Sequence, residues 1–118
     1  MSTDRITIYH NPRCSKSRQT LALLKDAGIT PLVIEYLDQP PTVDELETLA
    51  DQLGLEPREF IRSKEAAYAG LIPPGPDRSG RQLLEAMAAE PILIERPIVV
   101  RGDRAVLGRP PDNVHRLL

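Results

Sequence analysis

Hydrophobic and polar positions alternate near the start of the chain and then change period. Ile6, Thr7, Ile8 and Tyr9 are β-branched or aromatic with one apolar face, which predicts a strand. His10-Asn11-Pro12-Arg13 breaks it, because Pro12 has no amide hydrogen for a ladder and Asn11 is a turn former. From Ser17 onward Leu21, Leu24 and Gly28 recur at helical spacing, with Thr20 and Ala27 beside them, and Gly28 closes the helix. Pro31 then opens a second strand, Leu32-Val33-Ile34-Glu35-Tyr36. Strand, helix and strand at this spacing predict a right-handed parallel βαβ unit.

After the Asp38–Pro41 loop, Thr42-Val43-Asp44-Glu45 has the form of a capping box. Val43, Leu46, Leu49 and Leu53 make one helical stripe, ended by Gly54. Glu56-Pro57 starts a short helix with Pro57 first; Phe60 and Ile61 point one way and Arg62 another. Residues 66–75 are less regular, and Pro73-Pro74-Gly75-Pro76 is a turn-rich break and a candidate mobile segment. Ser79-Gly80-Arg81-Gln82 is a second capping box, with Leu83, Leu84 and Met87 as the apolar face and Pro91 as the stop.

The last third changes period again. Ile98-Val99-Val100 and Ala105-Val106-Leu107 flank the turn Arg101-Gly102-Asp103-Arg104, a β-hairpin. Gly108-Arg109-Pro110-Pro111 opens a terminal helix with Val114, Leu117 and Leu118 on one face. The order β-α-β, helices, β-β-α is that of an α/β, thioredoxin-like fold with a helical insertion at about 42–90, in one domain spanning 1–118. In that arrangement a reactive cysteine follows the first strand, and a proline before the third strand packs next to it. Pro97 stands in that place, as a candidate cis proline.

Composition narrows the classes. At 118 residues and 41% hydrophobic content the chain can bury one core, filled by Leu, Ile, Val and Ala since there is no Trp and one Phe. Tyr9 and Phe60 are read as core residues. A net charge of −2 argues against a general nucleic-acid binder. Asp4 and Arg5 precede a short apolar run, unlike a signal peptide, and no segment approaches ~20 apolar residues, so no membrane span is expected. One cysteine makes no internal disulfide, and with two scattered histidines offers no metal-site spacing. A cytoplasmic protein without a bound cofactor is expected.

The single cysteine, Cys14, falls in the strand-to-helix loop. Helix-start amides lack intrahelical partners and favour negative charge, and a thiolate is one. Arg13, Lys16 and Arg18 add positive potential. A thiol pKa of ~8.5 falls in such a setting. The same amides, with the Ser15 and Ser17 hydroxyls, can hold an oxyanion. An inert buried cysteine would have apolar neighbours, which Cys14 lacks.

Along nearly its whole length the sequence resembles the ArsC family, the glutaredoxin-dependent arsenate reductases. The matching stretches are Ile8-Tyr9-His10-Asn11-Pro12-Arg13-Cys14, Tyr36-Leu37 to Pro40-Pro41, Ile61-Arg62-Ser63-Lys64, Glu95-Arg96-Pro97-Ile98-Val99-Val100 and Gly108-Arg109-Pro110-Pro111. Ser15-Lys16 after the cysteine, where the best-studied members carry small residues, marks it as similar to a shorter arsenate reductase-like subgroup. The resemblance implies a catalytic Cys14 and three arginines around the oxyanion, Arg62, Arg96 and Arg109. It also matches His10 and Ser17 to residues that tune the thiol. Two roles are open to His10, an imidazolium paired with the thiolate or a hydrogen-bond donor to the loop. Ser17 has a hydroxyl aimed at the sulfur, first-turn helix bonding, or both.

The implied reaction is arsenate reduction. Cys14 attacks arsenate, an external thiol resolves the adduct because no second cysteine exists, and arsenite leaves. Glutathione and then glutaredoxin are the implied reductants, with no nucleic-acid or membrane partner. Two rivals are an Spx-type regulator that binds RNA polymerase and a glutathione-dependent thiol reductase with another substrate. Ser17, where a two-cysteine switch would carry its partner thiol, weighs against the switch.

Overall fold

The computed structural model describes residues 5–118. The expectation about a leader sequence rests partly on residues 1–4, outside the described residues. Contacts divide the chain into two units, one of residues up to Gln39 with Arg96–Leu118, the other Pro40–Glu95.

The first unit is built on a four-stranded sheet. β1 (Ile6–His10), β2 (Leu32–Glu35), β3 (Ile98–Arg101) and β4 (Arg104–Leu107) lie in the order β2-β1-β3-β4. β1 pairs parallel with β2, Ile8 opposite Val33, and antiparallel with β3, Ile8 opposite Val99. The parallel pair requires a crossover, which α1 (Ser15–Asp26) supplies. Burial alternates along β1: Ile6, Ile8 and His10 are buried, Thr7 and Tyr9 half-buried. Tyr9 therefore lies on the face opposite Ile6 and Ile8 and is not fully in the core.

Ile6 and Ile8 pack with Leu24 of α1, Val99, Val106, and Val114 and Leu117 of the C-terminal segment. That segment, Pro111–Leu117, is a 3-10 helix rather than an α-helix. It is short and starts with consecutive prolines, so its own propensity is weak. Burial of Val114 and Leu117, at about 1.5–3 kcal/mol per aliphatic side chain, holds it in place. Leu118, expected on the same face, is 47% exposed. The β3–β4 loop is only Gly102-Asp103, with Gly102 at φ 63°, a left-handed angle that suits glycine at the first position of a two-residue hairpin loop.

α1 begins at Ser15, two residues before the apolar spacing suggests, with Cys14 as its N-cap. β2 stops at Glu35, and Tyr36, expected as its last residue, lies fully buried in the turn that follows. β2 is an edge strand whose Leu32 and Val33 are exposed.

The second unit contains α2 (Val43–Leu53), the single turn α3 (Ala66–Ala69) and α4 (Gly80–Ala89), with 3-10 turns at Pro57–Glu59, Gly75–Asp77 and Pro91–Leu93. Both capping boxes form: Thr42 with Glu45, and Ser79 with Gln82. A third joins Glu56 and Glu59. The proline-rich break is anchored by arginines. Arg78 donates to the carbonyls of Ile72 and Pro73, and Arg58 to those of Gly75 and Arg78. Among the described residues no helix is long and apolar enough to cross a membrane.

Candidate active site at Cys14

β1 ends at His10, and the next four residues turn the chain into α1. Asn11 organises the turn. Its carbonyl accepts the Cys14 amide at 3.0 Å, its Oδ1 accepts the Arg13 amide at 3.0 Å, and its own amide donates to Ser17 Oγ at 3.0 Å. Arg18 donates to the Pro12 carbonyl at 2.9 Å. These bonds occupy the amides of Asn11, Arg13 and Cys14 and the carbonyls of Asn11 and Pro12, which steadies the backbone carrying the sulfur. The turn propensity of Asn11 is readable in the sequence; its three simultaneous bonds are not.

Cys14 is half-buried. Burial pushes its thiol pKa up. The amides of Ser17 and Lys16 and the side chain and charge of Arg96 push it down, and the net result lies below the usual thiol value. Neither amide closes a capping bond of standard geometry with the side chain, but both face the sulfur from the helix start. Arg109 Nη1 is 4.0 Å from Sγ and 3.4 Å from the Arg96 carbonyl. Cys14, Arg96 and Arg109 are therefore brought together, from the α1 start, the approach to β3 and the segment after β4.

His10 and Ser17 form a buried pair under the loop, Nδ1 to Oγ 2.6 Å. Burial lowers the His10 pKa, with Lys25 and Arg18 in the same direction and Glu35 opposing. The shift favours the neutral imidazole, whose Nδ1 is engaged by Ser17. Ser17 Oγ already accepts the Asn11 amide, and its proton fits the neutral Nδ1. The Ser17 hydroxyl thus supports the loop, while its amide faces the sulfur. Ser15 is exposed at the first position of α1.

Pro97 is buried and its peptide bond with Arg96 is cis. Its carbonyl accepts the Gly108 amide at 2.9 Å. A Cβ on Gly108 would lie 2.7 Å from Pro97 Cγ and 2.5 Å from Thr20 Oγ1, so only glycine lets this strand end lie against Pro97 and α1. Arg62 belongs to the other unit. Its guanidinium is bound by Glu65 at 3.0 Å and Glu95 at 2.8 Å. Burial lowers its pKa, and the two carboxylates more than reverse that. A cleft of about 360 Å³ opens where β1 and β2 end, lined by His10, Asn11, Pro12, Arg13, Glu35 and Asp38 among others.

The arrangement is a thiol of lowered pKa with two arginine side chains acting on it, suited to attack on an electrophile carrying negative oxygens. Known proteins resemble the chain in sequence and fold. The arsenate reductase of Haemophilus influenzae is 45% identical over 114 residues, which cover 96% of this chain and 98% of that protein. That of Rhizobium meliloti is 47% identical over 113 residues, 96% of this chain and 81% of the relative. The solved arsenate reductase from Vibrio cholerae superposes with a TM-score of 0.93 at 51% identity, covering 98% of each chain. The architecture is thus the mixed α/β, thioredoxin-like one of these neighbours. The sequence model of the ArsC family matches residues 9–117, and the chain belongs to the ArsC family.

Proposed function

We propose that this protein is an arsenate reductase in which Cys14 is the nucleophile and Arg96 and Arg109 hold the oxyanion. The observation that carries the reading is the Arg109 guanidinium 4.0 Å from the Cys14 sulfur, with Arg96 lowering the thiol pKa. Relatives named arsenate reductase at about 45% identity support the substrate.

In the proposed reaction the Cys14 thiolate forms an S–As bond, and one arsenate oxygen leaves as water. The arginines, the amides of Lys16 and Ser17 and the Ser15 hydroxyl stabilise the redistributed charge. An external thiolate then attacks the Cys14 sulfur. The S–As electron pair goes to arsenic, which falls from As(V) to As(III), and a mixed disulfide remains. The chain has one cysteine, so a further external thiol must reduce that disulfide. Glutathione as the first thiol and glutaredoxin as the second are the proposed partners. His10, Ser17 and Pro97 are proposed to support the loop and the sulfur's setting. Arg62, bound to Glu65 and Glu95, is proposed to brace its own unit.

The test is arsenate-dependent NADPH oxidation coupled through glutathione, glutaredoxin and glutathione reductase. Turnover that vanishes with Cys14→Ser is expected. Turnover retained in that variant, or absent from the native chain, would overturn the reading.

A further inference from the structure

Arg109 is an exposed side chain in a segment outside any strand, yet its guanidinium meets the sulfur. Something must hold its backbone. Asn113 Nδ2 donates to the Leu107 carbonyl at 3.0 Å and to the Arg109 carbonyl at 3.2 Å. A side-chain amide has two protons, so each bond can have its own. The two acceptors flank Gly108, whose amide is held by Pro97 and whose α-carbon lies flush against Thr20 and Pro97. Asn113 itself stands in the 3-10 helix whose next residue, Val114, is fully buried in the core with Leu117. Its backbone N–H donates to the Pro110 carbonyl at 3.0 Å, tightening the same segment.

We propose that Asn113 is a positioning residue for the reaction: its amide grips the carbonyls on both sides of Gly108 and so presents the Arg109 guanidinium to Cys14. The chain of contacts runs from the core through Val114 to Asn113, to the Arg109 backbone and to the sulfur. No part of Asn113 is required to touch the oxyanion. The proposal rests on the reading of Cys14 and Arg109 as an oxyanion site.

The experiment measures arsenate protection of Cys14 against alkylation by iodoacetamide, in the full chain, across a cycle of Asn113→Ala, Arg109→Ala and the double variant. Asn113→Leu, which fills similar volume without donors, is run beside Asn113→Ala, with melting temperature recorded for both. Expected is an arsenate concentration for half-protection raised about three- to tenfold by either Asn113 variant, the scale of one neutral hydrogen bond. In the Arg109→Ala background the same substitution should add nothing, because its effect passes through Arg109. An unchanged midpoint in both Asn113 variants overturns the proposal. So does an equal loss in both backgrounds, which marks a general structural role. Native protein that arsenate fails to protect overturns the oxyanion site, and the proposal with it, and so differs from a native site that is protected but indifferent to Asn113.

Discussion

Arg109 and Cys14 are 95 residues apart in sequence, and their side chains meet at 4.0 Å. The contact spans the first unit, from the start of α1 to the segment after β4. It puts a cation beside a sulfur whose pKa is depressed by other groups. Arg96 completes the set, since its carbonyl accepts a hydrogen bond from Arg109 and its side chain acts on the same sulfur.

The first prediction concerns the thiol. Its pKa is lowered by the Ser17 and Lys16 amides and by Arg96, against burial. The rate of Cys14 alkylation against pH should inflect below the unperturbed value of about 8.5. Arg96→Ala should move the inflection upward, because it removes a favourable charge and leaves the amides. An inflection at or above 8.5 in the native protein, or no movement with Arg96→Ala, would sink this account.

The second concerns the buried pair beneath the loop. Ser17→Ala removes the hydroxyl shared by His10 Nδ1 and the Asn11 amide, leaving both buried groups unsatisfied. Chemical denaturation should show a loss of about 1–3 kcal/mol. The pH dependence has a definite sign. His10 has a folded pKa below its unfolded value of about 6.5, so between the two the unfolded chain binds the extra proton. This contribution is full above about 6.5 and is lost as pH falls toward the folded pKa. An NMR titration of His10 inflecting above 6.5 would contradict it.

What could be read in the sequence divides by range. Both Ser/Thr capping boxes and the Gly102 hairpin are local, set by residues a few positions apart, and each formed as expected. The cysteine's place in the loop was legible for the same reason, as was the element order of the sheet. The terminal helix type was not, because Pro110-Pro111 and the burial of Val114 act together and only the second depends on the fold. The Glu56–Glu59 box went unread because Glu is not a preferred cap. Nothing local in Asn113, Gly108 or Thr20 shows that they converge behind Arg109. The roles of the three arginines came from resemblance, since an arginine before a proline looks the same on a surface as in a site.

A third prediction separates Arg62 from the other two. Its guanidinium bridges Glu65 and Glu95, with about a quarter of each side chain exposed. Arg62→Ala removes the guanidinium from both carboxylates. The expected result is a stability loss of about 1.5–3 kcal/mol, typical of hydrogen bonds to charged groups. Arsenate protection of Cys14 should change far less than with Arg109→Ala. The opposite pattern, an unchanged melting temperature with protection lost, would make Arg62 an oxyanion ligand.

The last prediction concerns Arg109 itself. Its side chain is exposed, so Arg109→Ala should leave the melting temperature within a degree or two, as surface substitutions usually do. On the proposed reading oxyanion binding should suffer, because the lost group would make charge-assisted hydrogen bonds worth roughly 1.5–3 kcal/mol. That corresponds to a fall of about tenfold to a hundredfold in the specificity constant for arsenate. Arg109→Lys should recover only part, since an ammonium is a point charge and cannot match two oxygens with a planar fork. The thiol should remain reactive, because the amides of Ser17 and Lys16 and the Arg96 side chain still act on it. Steady-state kinetics with arsenate and alkylation kinetics without it therefore give separate answers. A variant slow in both would mean that Arg109 governs the thiol and not the anion, and one with unchanged kinetics would remove Arg109 from the site.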